Sequence, residues 1–245
     1  MILKKVQEAY NITVLGDSIR LDPRTVAYKP DEQMLSTLTK LKLHKQNALY
    51  LLKKPATPTT IVAVDIETSS KHFLDGEIRL ISIYSEDKFS VTQNVAEVAA
   101  ILADDKVLKV FHNAAFDVAW LKVKGFVVQN YTDTMIMAQI VHNTTKSVNS
   151  LQALALECLG IVLDKQHQSE SNWQGELTEK HRNYALRDAE VTLMLYHHLT
   201  QAIQERSLDV VLDREIRALP AIIELNLNGI PFDYQGWQSI LDDMK

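Results

Sequence analysis

The 245 residues carry 46% hydrophobic and 23% charged side chains, a globular balance that excludes general disorder. No apolar run is long enough to cross a bilayer, and the N-terminus lacks a signal-peptide core. The net charge of −5 excludes uniform electrostatic wrapping of a nucleic acid. Cys158, the only cysteine, excludes an intrachain disulfide and a thiolate-rich zinc site, and suits a reducing cytoplasm as the expected compartment.

Charge divides the chain into three blocks. Residues 1–55 hold ten Lys/Arg against five Asp/Glu, residues 56–212 thirteen against twenty, and residues 213–245 three against six. The first block predicts helix, hairpin, helix. Its hairpin pairs Ile12–Leu15 with Ser18–Leu21 around the two-residue turn Gly16-Asp17, and Pro30-Asp31-Glu32 opens a helix to about Lys54. This small α/β head resembles the docking domains of tubulysin-type peptide synthetases, which implies a protein partner through residues 1–55. A solvated basic face is the blander explanation. The two prolines of Lys53–Thr60 predict a linker.

The second block alternates strands and helices. Thr60–Ile66 is a run of β-branched residues suited to the inside of a sheet, and Ile78–Tyr84 and Lys88–Val91 follow as strands. A helix is predicted over Val95–Leu102, a strand over Val107–Phe111 and a helix over Ala114–Lys124. Further helices run from Ser150 to Gly160, where glycine serves as the C-cap, and from Thr178 to about Ile203. Such alternation predicts an α/β fold with helices layered around one sheet.

Four carboxylates stand out in this block. Asp65 and Glu67 lie two apart on a strand and share one face. Asp65 interrupts an apolar run, where an unpaired charge is costly, which points to chemistry rather than to a structural salt bridge. Asp117 falls in the helix after Phe111, and Asp188 lies on the last long helix, four residues after Tyr184. Each of these three alone would be unremarked: a solvated acid, a second solvated acid and a core aromatic.

Taken together they resemble the DnaQ-like (DEDD) 3′–5′ exonucleases. Val64-Asp65-Ile66-Glu67-Thr68 is similar to the first motif, and Phe111-His112-Asn113-Ala114-Ala115-Phe116-Asp117 to the second. Tyr184-Ala185-Leu186-Arg187-Asp188 is similar to the tyrosine form of the third. The stretch Leu159–Lys165, with Trp173 and Leu177-Thr-Glu179, resembles the ribonuclease D and family A polymerase branches, and the likeness covers roughly residues 58–205.

The resemblance implies a ribonuclease H-like fold with a mixed central sheet. It also implies two Mg²⁺ or Mn²⁺ ions about 4 Å apart that activate water and stabilise the leaving oxygen. Hard carboxylate oxygens suit those ions, and no Cys/His cluster competes for zinc. By resemblance, Asp65 bridges the ions, Glu67 and Asp188 complete the tighter site, and Asp117 holds the second. Tyr184 orients the attacking water, and Thr68, His112 and Asn113 lie near the terminal nucleotide. The histidine subclass places its histidine five residues before the last aspartate; that position is Asn183, so the tyrosine subclass is expected. Family A exonucleases carry a leucine wedge after the first motif where this chain has Lys71, with Phe73 and Leu74 as substitutes through a shifted loop.

Residues 213–233 predict a helix ending at Gly229 and resemble the passage from exonuclease to thumb in family A DNA polymerases. The expected substrate is therefore the 3′ end of single-stranded or frayed DNA. RNA trimming of the ribonuclease D type and a catalytically idle binding module are the alternatives.

Overall fold

The computed structural model describes residues 10–15, 18–23, 60–143, 149–163, 173, 175–229 and 231–244. The chain divides into two compact units, Met1–Thr57 and Pro58–Lys245. In the first, strands β1 (Tyr10–Leu15) and β2 (Ser18–Pro23) pair antiparallel, with Leu15 opposite Ser18. The helices expected on either side of this hairpin, the linker ahead of Thr60, and Asp164 and Lys165 lie outside the described residues.

The second unit is built on five strands. They are β3 (Thr60–Thr68), β4 (Ile78–Tyr84), β5 (Phe89–Thr92), β6 (Val107–Phe111) and β7 (Tyr131–Asp133). Their order across the sheet is β5-β4-β3-β6-β7. β4 pairs antiparallel with both β5 and β3, whereas β3, β6 and β7 are mutually parallel, so the sheet is mixed. Alternation along β3 explains how it is covered. Val62, Val64 and Ile66 point into a core with Phe111, Val118, Trp120 and Leu121, while Ala63 meets Ala189 and Leu193 on the other side.

The first side is covered by α1 (Ala99–Ala103) and α2 (Ala114–Val123), joined by Leu219 and Ile223 of α6 (Asp209–Asn228). The segment expected as one helix over Val95–Leu102 begins instead as a 3₁₀ turn, Val95–Val98. Asn94 accepts a hydrogen bond from Ala96 N there, and α1 follows only from Ala99. The second side is covered by the 27-residue α5 (Glu179–Glu205), which crosses β3 and β4. Behind α5 pack α3 (Thr134–His142) and α4 (Leu151–Leu159) through Met137, Val141, Leu154, Val191 and Leu195.

Local chemistry sets several boundaries. Ser150 accepts from Ala153 N at the start of α4, and Gly160 ends it in the left-handed conformation, φ 67°. Helix α6 starts four residues earlier than expected, because Ser207 (φ 56°) turns the chain sharply after α5 and Leu208 N returns to Ile203 O. It ends at Gly229 as the pattern predicts. Last comes α7 (Tyr234–Asp243), capped by Asp233, with no buried residue. No helix among the described residues is long and apolar enough to cross a membrane.

Candidate active site

The site follows from an unequal pairing of parallel strands. β3 pairs with β6 only from Thr60↔Val107 to Ala63↔Val110, then runs on past the end of its neighbour. The backbone of Ile66 therefore has no strand on that side. Asp117, in the first turn of α2, fills the gap: its Oδ1 accepts a hydrogen bond from Ile66 N at 3.2 Å. On the other edge β3 stays paired with β4 until a register shift between Glu67 and Thr68. Asp65 and Glu67 project on the Ala63 side, toward α5, which presents Tyr184 and Asp188 at i and i+4 spacing.

An open cleft of about 610 Å³ results. Asp65, Glu67, Thr68, His112, Asn113, Asp117, Tyr184 and Asp188 all line it, so the residues picked out in the sequence come together around one space. Ser69, Ser70, Lys71, Phe116 and Trp173 complete the walls. Of the expected wedge substitutes neither is there: Phe73 packs on the apolar core and Leu74 is 82% exposed. Lys71 keeps the rim position. Its loop is anchored from below, since Lys124 donates to Gly76 O and pairs with Glu77 at 3.0 Å.

The electrostatics are those of acids forced together. Burial first, then Glu67, Asp117 and Asp188, drives the Asp65 carboxyl well above the ordinary range. Burial with Asp188 and Asp117 pushes Glu67 up to about 9. Asp117 is also raised well above its ordinary value by burial, against the pull of the Ile66 hydrogen bond. Asp188 rises less, to about 6: burial raises it, while the Tyr184 hydroxyl and Arg187 hold it down. The Tyr184 hydroxyl is directed at Asp188, and burial together with the acids raises its own pKa. It stays a phenol.

Asp65 Oδ2 is buried with no hydrogen-bond partner. An orphaned carboxylate oxygen beside three further carboxylates is a donor set for a hard divalent cation. Among the described residues no three such groups are yet drawn into a tight cage; the acids line the cleft rather than meet at a point.

Other expected residues are held in specific ways. His112 is engaged at both ring nitrogens, 2.9 Å from Thr134 Oγ1 and 3.0 Å from Asn149 O. Burial lowers its pKa; Asn149 O can only accept, so Nε2–H donates to that carbonyl, while Nδ1 faces the Thr134 hydroxyl, which itself donates to Phe111 O. It therefore offers the cleft a ring face. Asn113 is exposed and left-handed, φ 71°, and caps α2 without using its side chain. Thr68 donates its hydroxyl to Ser70 O at 2.6 Å. His181, seven residues before Asp188 rather than five, is occupied at the start of α5, where Nδ1 accepts from Thr178 N at 3.0 Å. Trp173 lies 4.9 Å from its ring and 6.2 Å from that of Tyr184.

The sequence reading missed Asp133 and Thr134. Asp133, 1% exposed at the end of β7, accepts from Asn113 N (3.1 Å), Ala114 N (2.8 Å), Met135 N (2.8 Å) and Ile136 N (3.4 Å). The available signal was an aspartate directly before the apolar run of α3, an N-cap pattern.

A mixed sheet whose central strand carries paired carboxylates into such a cleft is the arrangement of the ribonuclease H-like fold. The profile of the 3′–5′ exonuclease domain matches residues 35–204, and the chain belongs to that family. It is 27% identical over 158 residues to DNA polymerase I of Rhizobium leguminosarum, covering 62% of this chain and 16% of that protein. It is 27% identical over 198 residues to exosome complex component 10 of Rattus norvegicus, covering 76% of this chain and 22% of that one. The chain thus spans about a fifth of the length of these relatives. Among solved structures, Brucella melitensis NrnC with bound Mg²⁺ superimposes with a TM-score of 0.63 at 21% identity, over 73% of this chain and 92% of that chain.

Proposed function

We propose that the chain is a metal-dependent 3′–5′ exonuclease of the tyrosine subclass that removes nucleotides from single-stranded or frayed DNA. One observation carries the reading: Asp65, Glu67, Asp117 and Asp188 line one cleft, and Asp65 keeps a buried, unpartnered oxygen there. Asp65, Glu67 and Asp188 would hold one Mg²⁺ or Mn²⁺, and Asp65 with Asp117 a second. Bound there, the ions supply the positive charge that activates water and neutralises the leaving oxygen. Asp188 fixes the Tyr184 hydroxyl, whose oxygen keeps lone pairs with which to orient the attacking water. Asn113 and the ring face of His112 border the space for the terminal nucleotide, with Thr68 opposite. Trp173 packs near Tyr184 and narrows the same space. Residues 1–55 serve a protein contact, and the reducing cytoplasm is the working compartment.

RNA is the second reading, favoured by the likeness to exosome complex component 10 over 76% of the chain. Incubating the protein with 5′-labelled DNA and RNA oligomers in Mg²⁺ or Mn²⁺ tests both. Stepwise shortening from the 3′ end, faster on DNA and abolished by EDTA, is expected. Faster shortening of RNA moves the substrate to the second reading. Hydrolysis undiminished by chelator removes the metal mechanism.

A further inference from the structure

Helix α2 has an unusual start. Asparagine is among the best N-cap residues because its side chain can accept the free N–H groups of the first turn. Asn113 occupies that position, yet its left-handed backbone leaves its side chain without a cap bond, and the residue stands exposed on the cleft wall. Asp133 takes over from a different strand. One of its oxygens accepts from Ala114 N, and the other from Asn113 N and from the first N–H groups of its own helix, α3. The same carboxylate thus starts two helices. Beside it, Thr134 Oγ1 lies 2.9 Å from His112 Nδ1 and 3.2 Å from Phe111 O.

We infer that Asp133 is a positioning residue for the reaction: by capping α2 in place of Asn113, it fixes Asp117 against β3 and leaves the Asn113 carboxamide free for the substrate. Asp117 lies within the first turn of α2 and is tied to Ile66 N. That bond sits at 3.2 Å, so a slide of α2 by an ångström would break it and withdraw a carboxylate from the cleft. The inference rests on the metal reading above and extends it to a residue that does not line the cleft.

The discriminating variant is Asp133→Ser. Serine is a good N-cap for α3 but too short to reach Asn113 N and Ala114 N, so it removes the link to α2 and keeps the local cap. The readouts are thermal unfolding, Mn²⁺ binding followed by electron paramagnetic resonance, and kcat and KM on a labelled oligomer. Asp133→Ser is expected to unfold cooperatively and to bind Mn²⁺ about 10–100-fold more weakly, the scale of lost support behind a metal ligand. Its kcat should fall and be largely restored by excess Mn²⁺, while KM rises. A merely structural cap would lower the melting temperature and leave metal affinity and the response to excess metal unchanged. That result, in a wild type that binds Mn²⁺ through Asp117, overturns the inference alone. A wild type that binds no Mn²⁺ overturns the metal reading and the inference with it. Should Asp133→Ser not fold, Asp133→Asn gives a narrower comparison, since an amide oxygen that keeps the bonds to Asn113 N and α3 leaves an NH2 group facing Ala114 N, which cannot accept from it.

Discussion

Asp65 and Asp133 are two aspartates on parallel strands of one sheet, and they are treated in opposite ways. At the end of β7, Asp133 is saturated by four backbone N–H groups that start α2 and α3. Within β3, Asp65 keeps a buried oxygen with no partner and faces Glu67, Asp117 and Asp188. A carboxylate that holds a fold together is surrounded by donors, whereas one kept for chemistry is surrounded by its own kind. The difference teaches where each costs the protein when removed.

The largest effects should separate the two. Asp65→Asn is expected to lower exonuclease activity by more than about 1000-fold, because the charge that gathers the ions is gone. Its melting temperature in EDTA should hold or rise, since a repulsive charge has been relieved. Asp133→Ala should do the reverse in the melting curve, losing about 2–4 kcal/mol through two uncapped helices and buried N–H groups. Parallel activity assays and denaturant titrations check both. An Asp65→Asn protein with a tenth of normal activity would break the comparison.

Tyr184→Phe comes next. The ring remains, but the hydroxyl beside Asp188 is lost, and a fall of about 10–1000-fold in kcat is expected with metal affinity little changed. His181→Ala should cost only about 1 kcal/mol of stability, by removing the acceptor for Thr178 N at the start of α5. The reverse pattern would transfer the catalytic role to the histidine.

A pH series sharpens the same contrast. Burial and neighbouring acids raise Glu67 to about 9 and Asp188 to about 6 in the folded protein, against ordinary values of 4.5 and 3.8. In chelator the folded state therefore holds protons that the unfolded chain has released. Stability should be highest near the ordinary carboxylate range and fall as pH rises through 6 toward 9. Adding Mg²⁺ should flatten that decline and release protons, which calorimetry in buffers of different ionisation enthalpy detects. A melting temperature in EDTA that climbs between pH 5 and 9 would contradict the crowding of the acids.

How much of this could be read beforehand depends on the element. Strands β4 and β6 are legible to the residue, because Ile78–Tyr84 and Val107–Phe111 are compact apolar runs. Asp65 is legible because it breaks such a run, and Asp117, Tyr184 and Asp188 through their motifs. What brings them together is not local. The cleft exists because β3 outruns β6, a property of pairing between residues nearly fifty apart, and no window of sequence contains it. β7 was missed because three residues show no periodicity, and Asp133 went with it. The early start of α6 depends on Ser207 accepting a left-handed turn, which serine gives no sign of.

The smallest effect concerns the rim. Lys71 is exposed and lines a cleft whose other charged lining residues, among those described, are the four acids. A cation here cannot part a terminal base pair as an apolar side chain can, but it can meet a backbone phosphate on its way in. One such contact displaces about one counterion, so binding should weaken with salt by a slope near 0.7 per contact on a single strand. Lys71→Ala is expected to raise KM by a few-fold at low salt, to leave kcat unchanged, and to reduce the slope of log KM against log KCl by about that amount, at fixed Mg²⁺. Lys71→Leu should match it in the salt series and, if an apolar wedge suits the loop, narrow the gap between paired and frayed ends. An unchanged salt slope in both variants would mean that Lys71 stands clear of the strand.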